Sequence, residues 1–157
     1  MPDATLLPLI FACPLILLAA WIDLREMRIP DGLVVAGLAI FVLTAPFVGI
    51  EEALWRLVAG TVAFALCFVL FGLRVFGGGD AKFFPVLVLY VPHGELAAFL
   101  AVFGVSMAAC MIGIVGLRQT ASLPEARWKS MQDDGRFPMG TAFAMTAVVF
   151  LLLQLAR

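Results

Sequence analysis

Residues 96–117 read LAAFLAVFGVSMAACMIGIVGL, a run without a charged side chain. As an α-helix, with a rise of about 1.5 Å per residue, this run would be about 33 Å long. The hydrocarbon core of a bilayer is about 30 Å thick, and a helix of about 20 apolar residues crosses it. The run therefore predicts a membrane-spanning helix.

The composition of the whole chain points the same way. Of its 157 residues, 64% are hydrophobic and 13% are charged, whereas about 25% of an average soluble protein is charged. A soluble globule of this size has too much surface to hide so much apolar material. The net charge of −1 and the lack of dense basic stretches argue against a nucleic-acid partner. The composition also excludes a disordered chain and a disulfide scaffold, which leaves an all-α integral membrane protein in contact with the lipid bilayer.

Six apolar segments are candidate transmembrane helices, and we expect them to form one membrane domain over residues 1–157. The first lacks the basic region of a signal peptide and is followed by further segments, which indicates an anchor rather than a cleaved leader. The fourth is short, because only residues 83–91 are uninterrupted, and a re-entrant segment is the alternative there. The predicted segments are 4–22, 32–49, 53–73, 80–92, 96–117 and 138–155.

The cationic residues predict the orientation of these segments. If all six cross, eight Lys and Arg residues fall on one side and only Arg56 and Arg157 on the other. An excess of Lys and Arg marks the cytoplasmic side. We therefore expect both termini outside, a cytoplasmic loop at residues 118–137, and residence in the cytoplasmic (inner) membrane. A re-entrant fourth segment would move four of the eight outward, so crossing is favoured. The eight are Arg25, Arg28, Arg74, Lys82, Arg118, Arg127, Lys129 and Arg136.

Several polar residues have an ordinary structural interpretation. Asp31 stands before a hydrophobic run, as the N-cap of a helix does. Arg56 lies near the outer end of the third segment and can extend its charge to the interface. His93 lies in an outer turn, where a single histidine is most often solvated, and it is assigned no role. Three cysteines within the segments share no ligand spacing, which indicates apolar packing and no metal site: Cys13, Cys67 and Cys110.

Two carboxylates, Asp23 and Asp80, are harder to explain, because acidic groups at membrane depth are costly and tend to be functional. Asp23 closes the first segment, where the helix dipole disfavours a negative charge; the alternative is an interfacial residue neutralised by Arg25 and Arg28. Asp80 follows Gly77-Gly78-Gly79, and its alternative role is to cap the next helix. Measured back from an outer end near residue 92, however, Asp80 lies only about 18 Å into a core of about 30 Å.

The predicted orientation places both carboxylates at the cytoplasmic margin of the bundle. The glycines before Asp80 would let another extended chain approach closely there. If packing makes Asp23 and Asp80 neighbours, they cannot easily both ionise and would share one proton near neutral pH. One carboxylate could then activate a water molecule while the other donates a proton. This is the chemistry of aspartic proteolysis.

Three stretches of the sequence resemble the type IV prepilin peptidases, which are membrane aspartic proteases with a Gly-x-Gly-Asp motif. They are DLREMRIPD at residues 23–31, GGGDAK at residues 77–82 and PMGTA at residues 138–142. The resemblance extends over essentially the whole chain. It implies that Asp23 and Asp80 are the catalytic pair, without metal or cofactor. It also implies that the substrates are prepilin-like precursors, whose short basic leader is removed at the cytoplasmic face just before a hydrophobic helix.

The chain departs from the family pattern at three points. Asp31 replaces the usual Asn and adds a third carboxylate near the site. Pro85 disfavours helix at Phe84 and removes a backbone donor, so a loop at Asp80 is an alternative to a helical turn. Longer relatives carry a cytoplasmic insert with paired cysteines at zinc spacing and also methylate the new N-terminus, and nothing here supports either property. The size is similar to the short peptidases of tight-adherence (Flp-type) pilus systems or archaeal preflagellin peptidases.

Other residues are weaker candidates for shaping the site. Arg28-x-Pro30-x-Gly32 and Arg136-x-Pro138-x-Gly140 form a short repeat. Its ordinary interpretation is an arginine anchor followed by a helix-starting proline, and the alternative is a border of the active cavity. Lys82 is an interfacial cation or, if it lies near the pair, a group that favours ionised Asp80. The weaker candidates are Gly77, Gly78, Gly79, Lys82, Pro30, Pro138 and Gly140.

Two other classes of function compete with proteolysis. A small proton- or cation-coupled transporter or channel subunit could use Asp23 and Asp80 as ion sites, although the short repeat is the sole trace of related halves. A non-catalytic assembly protein of a secretion system could use the same aspartates as helix caps. The sequence identifies neither the oligomeric state nor the individual prepilin.

Overall fold

The computed structural model describes residues 4–120 and 137–156, and six α-helices account for most of them. One-turn 3-10 segments, Ala4–Leu6 and His93–Glu95, precede the first and fifth helices. The helices are α1 Leu7–Glu26, α2 Asp31–Val48, α3 Ile50–Gly72, α4 Gly78–Leu89, α5 Leu96–Thr120 and α6 Met139–Leu155. Each of the six predicted segments overlaps one of these helices. Most of the predicted loop at residues 118–137 lies outside the described residues.

Four stretches of the described chain are long and apolar enough to cross a membrane: Ala4–Glu26, Asp31–Val48, Ile50–Gly72 and His93–Gly116. Helix α6 is apolar but shorter, with 17 residues, and α4 has only 12. Many large apolar side chains are exposed on the outside of the bundle, and exposed apolar surface of this kind is typical of contact with a membrane. The described residues thus form an all-helical bundle suited to a bilayer.

The short helix α4 lies within the bundle, packed against α2, α3 and α6. Every residue from Phe83 to Leu89 is buried. Phe84 packs against Phe103 of α5 and Phe143 of α6, with ring centroids 4.9 and 5.9 Å away. Helix α1 packs mainly on α6, which also contacts α5. Asp80, in the first turn of α4, is therefore carried by a helix that three others hold in place.

Glycines let α2 and α3 approach α4 closely. A Cβ atom at Gly60 would lie 2.5 Å from Cδ2 of Leu89, and one at Gly37 would lie 2.7 Å from Cγ1 of Val86. The hydroxyl of Tyr90 also donates a hydrogen bond of 2.8 Å to the carbonyl oxygen of Gly37. Small residues at helix interfaces are the usual means of close packing in membranes.

Pro85 lies inside α4 without interrupting it, because the helix begins at Gly78 and continues to Leu89. The alternative of a loop at Asp80 is therefore wrong. A proline at this position leaves one carbonyl, four residues earlier, without its helical donor. The apolar side chains that α4 buries on several faces offset that loss.

Arg56 does not extend to an interface, so that prediction is wrong. Its side chain is fully buried and donates hydrogen bonds of 2.7 and 3.1 Å to the carbonyl oxygens of Thr5 and Tyr90. Its Nε atom pairs with Oε1 of Glu52 at 2.8 Å. The ring of His93 also contacts Glu52 through Nδ1, so His93 is not simply solvated. These five residues join the starts of α1 and α3 to the end of α4.

Candidate active site

A cavity of about 640 Å³ opens at the end of the bundle where α1 ends and α4 and α6 begin. Asp23 and residues 27–29 line one part of it, and residues 74–80 line another. Phe137 and Met139, at the start of α6, complete the lining. This end lies opposite the cluster around Arg56.

Asp23 lies in the last turn of α1, and 4% of its surface is exposed. The backbone N–H of Gly140, in the first turn of α6, donates a hydrogen bond of 2.8 Å to Oδ2 of Asp23. Neither Arg25 nor Arg28 forms an ion pair with this carboxylate in the described structure. Arg25 instead places its guanidinium 5.7 Å from the ring centre of Trp21. The alternative of an interfacial aspartate neutralised by neighbouring arginines therefore does not describe Asp23.

Asp80 is in the first turn of α4, whose N-cap is Gly77 without a side-chain capping hydrogen bond. The alternative that Asp80 caps this helix is therefore wrong. Its carboxylate lies close to Gly77, since a Cβ atom there would be 2.6 Å from Oδ2 of Asp80. The charge of Asp23 acts directly on Asp80, and both residues line the same cavity. The structure thus brings together the two carboxylates that the sequence singled out.

The three glycines before Asp80 have different surroundings. Gly77 leaves room for the Asp80 carboxylate, as described above. Gly79 lies against the connection between α1 and α2, because a Cβ atom at this position would be 3.1 Å from both the backbone nitrogen and the carbonyl oxygen of Ile29. A Cβ atom at Gly78 would lie 3.3 Å from Cε2 of Phe71. We expected these glycines to let another extended chain approach closely. Within the described residues, the chain that approaches them is the protein's own segment after Asp23.

The two elements of the short repeat differ in what surrounds their glycines. Both begin a helix in the ordinary way, with Pro30 and Pro138 as the N-caps of α2 and α6. A Cβ atom at Gly140 would lie 2.8 Å from Cβ of Asp23, whereas one at Gly32 would meet nothing within 4 Å. Arg28 of the first element lines the cavity, but only the glycine of the second element packs directly against a carboxylate of the site.

Asp31 and Lys82 form an ion pair, with 2.8 Å between Oδ1 and Nζ, and neither lines the cavity. Their side chains are 72% and 52% exposed, and such pairs contribute little to stability. The N-cap of α2 is Pro30, and Asp31 lies in the first helical turn, so the prediction that Asp31 is the N-cap is wrong. Lys82 bonds to Asp31 rather than to Asp80.

Two arginines that the sequence analysis used only for orientation also line the cavity. Arg28 and Arg74 are both exposed at its border. Arg74 has a φ angle of 60°, an uncommon conformation for a residue with a side chain and one that tends to occur at functional sites. The sequence could have marked Arg28 and Arg74 as site residues because they lie close to Asp23 and Asp80 along the chain. Arginines that anchor a helix at the interface lie at similar positions, however.

The side chains around the cavity favour general acid–base chemistry. Two carboxylates that line one cavity can activate a water molecule and transfer a proton. In the described part of the chain, no three His, Cys, Asp or Glu side chains are grouped in a way that could hold a metal ion. All three cysteines are free, and Cys67 is buried.

Comparison with known proteins identifies a family. The model of the type IV leader peptidase family matches residues 10–117. This stretch includes Asp23 and Asp80 and ends before α6. No curated protein and no solved structure matches the chain.

Proposed function

The chain belongs to the type IV leader peptidase family, and on this basis we propose that it is an aspartic endopeptidase that removes the leader of prepilin-like precursors. The family supports a peptidase in general. The observation that supports the finer proposal is the pair Asp23 and Asp80, two carboxylates that line one cavity and, within the described residues, form no ion pair. Carboxylates held in this way are typical of functional sites rather than of structural ones.

In the proposed reaction the pair works with one proton. Two carboxylates that share a poorly solvated site cannot easily both ionise. The ionised one accepts a proton from water as the water attacks the scissile carbonyl, and the protonated one donates to the carbonyl oxygen. No cofactor or metal is required for these steps.

We also propose that the cavity end faces the cytoplasm. Helices that alternate in direction, together with the excess of Lys and Arg at this end, favour an arrangement with both termini outside and one domain over residues 1–157. The protein would then reside in the inner membrane. A precursor whose apolar helix lies in the bilayer would present the peptide bond before that helix at the depth of Asp23 and Asp80.

The test is cleavage of a tagged prepilin by membranes that contain each of four proteins: the wild type, Asp23→Asn, Asp80→Asn and Asp31→Asn. We expect each of the first two substitutions to lower the cleavage rate by at least about 10³-fold, because each removes a group that exchanges a proton with the substrate or water. Asp31→Asn is the matched control, since its side chain lies outside the cavity.

Each other outcome would contradict a named part of the proposal. Continued cleavage by Asp23→Asn or Asp80→Asn would remove the two-carboxylate mechanism. Loss of cleavage in Asp31→Asn would assign a role to the third carboxylate. Proton flux in liposomes without any peptide would favour the transporter instead.

A further inference from the structure

The two carboxylates of the cavity differ in the hydrogen bonds that they receive. Asp23 accepts the backbone N–H of Gly140 at 2.8 Å, in a buried contact. Asp80 accepts no hydrogen bond from the described residues, although it lies in the first turn of α4. The pair is therefore asymmetric before any substrate binds.

The donor to Asp23 belongs to the beginning of a helix. The first N–H groups of α6 have no partner within the helix, and the positive end of the helix dipole favours a negative charge near them. Pro138, the N-cap, has no N–H, and Gly140 is the second residue of α6. A Cβ atom at Gly140 would be 3.0 Å from Oδ2 of Asp23, so a glycine lets the amide reach the carboxylate.

The surroundings of Asp80 favour its charge less. It also lies near a helix N-terminus, but the dipole alone stabilises a carboxylate less than a direct hydrogen bond does. The negative charge of Asp23, which lines the same cavity, also disfavours a second charge on Asp80. Arg28 and Arg74 line the same cavity but form no ion pair with either aspartate in the described structure. The described first turn of α6 adds no charged side chain, and the hydroxyl of Thr141 donates to the carbonyl oxygen of Pro138.

We propose that the Gly140 amide holds Asp23 as the ionised member of the pair, so that Asp23 activates water and Asp80 carries the shared proton. Gly140 is then a positioning residue, and it lies outside the part of the chain that matches the family. The inference rests on the proposed peptidase function and assigns a separate role to each carboxylate.

The assignment gives a balanced reaction. Asp23 takes one proton from the water whose oxygen bonds to the scissile carbonyl carbon, while Asp80 gives its proton to the carbonyl oxygen. In the second step Asp23 returns its proton to the amide nitrogen as the C–N bond breaks, and Asp80 takes a proton from a hydroxyl of the intermediate. The products are a carboxylic acid and an amine, and both aspartates recover their starting states.

The test replaces Gly140 with glycolic acid, which exchanges the backbone N–H for an ester oxygen without adding an atom to the side chain. The same replacement at Gly32, the second residue of α2 with nothing close to it, is the matched control. The readout is kcat/KM for prepilin cleavage against pH. We expect the acid limb of the profile to move to higher pH by about 1–2 units, because an ionised carboxylate has lost its donor. The control should leave the acid limb unchanged.

Two results would overturn the assignment. A uniform loss of rate with an unchanged profile would mean that the amide only packs against Asp23. Movement of the alkaline limb in place of the acid limb would mean that Asp23 carries the proton. The wild type must cleave the prepilin in the same assay, and its failure to do so would count against the proposed function instead.

A second variant keeps the test informative if the ester protein does not fold. Gly140→Ala retains the N–H but places a Cβ atom against Asp23, which separates the carboxylate from the amide. We expect its acid limb to move in the same direction, together with a lower kcat and a similar KM. An unmoved acid limb in this variant would likewise refute the assignment.

Discussion

The two ends of the helical bundle both contain buried ionisable groups, but among the described residues these groups form an ion pair at only one of the two ends. At the cavity end, Asp23 and Asp80 form no ion pair within the described residues. At the opposite end, which we call the arginine end, the guanidinium of Arg56 is fully buried. It is nevertheless bonded to Glu52 and to the carbonyl oxygens of Thr5 and Tyr90.

The difference separates structural charges from functional ones. A buried charge with excellent hydrogen bonding is tolerated, and its removal leaves its partners uncompensated. A carboxylate without a cation is costly, and sites of this kind persist where chemistry requires them. Substitutions at the arginine end should therefore lower stability and spare activity. Substitutions of Asp23 and Asp80 should instead lower activity and spare stability.

The largest effect on stability is expected for Arg56→Met. The substitution removes the cation from the mostly buried Glu52 carboxylate, which among the described residues keeps only its contacts to His93, and takes the guanidinium away from two backbone carbonyls. Breaking a buried pair in this way costs about 3–5 kcal/mol. For a chain of this size the midpoint of thermal unfolding in detergent should fall by roughly 10 °C. Cleavage activity per folded molecule should remain.

Asp23→Asn is the matched variant at the cavity end, because an amide oxygen can still accept the hydrogen bond from Gly140. We expect its unfolding midpoint to match that of the wild type or exceed it. If Arg56→Met unfolded at the wild-type temperature, or if Asp23→Asn were strongly destabilised, the contrast between the two ends would be lost.

A smaller effect is expected for Gly60→Ala, which tests the packing beside the arginine end. The new Cβ atom would lie 2.5 Å from Cδ2 of the buried Leu89, and overpacking of this kind costs about 1–3 kcal/mol. Gly104→Ala is the control, since a Cβ atom there meets nothing within 4 Å. Thermal unfolding should separate the two variants while both cleave normally. Equal midpoints would show that α3 can move away from α4 without cost.

The sequence could predict the helices because each contains an apolar run, and burial in lipid needs nothing more specific. It could also predict that Asp23 and Asp80 share one end, because that follows from the direction of two segments. The carbonyl partners of Arg56, at Thr5 and Tyr90, could not be predicted in this way. They lie 51 and 34 residues away in the chain, and no local pattern distinguishes a buried arginine from an interfacial one.

The sequence could not predict the contact between Asp23 and Gly140 either, since these residues are 117 positions apart in the chain. The two Arg-x-Pro-x-Gly elements look alike in sequence, yet only the glycine before α6 packs against Asp23. The local sequence predicts where a helix begins, but the contacts of the first turn of α6 depend on how α1 packs against α6. For the same reason, the pairing of Asp31 with Lys82 replaced the capping role that its local context predicted.

The smallest effect is expected for Lys82→Met, which tests whether the nearby Asp31–Lys82 ion pair influences the carboxylates at the cavity end. Lys82 follows Asp80 by two residues, but its Nζ atom bonds to Asp31 and about half of the side chain is exposed. Exposed pairs add little to stability, and their charges are screened by salt. The unfolding midpoint should therefore stay unchanged, and kcat/KM should remain within about twofold of the wild type at moderate ionic strength. A loss of tenfold or more that disappears in high salt would mean that the field of Lys82 reaches Asp80, and the functional charges of the cavity end would then include the Asp31–Lys82 pair.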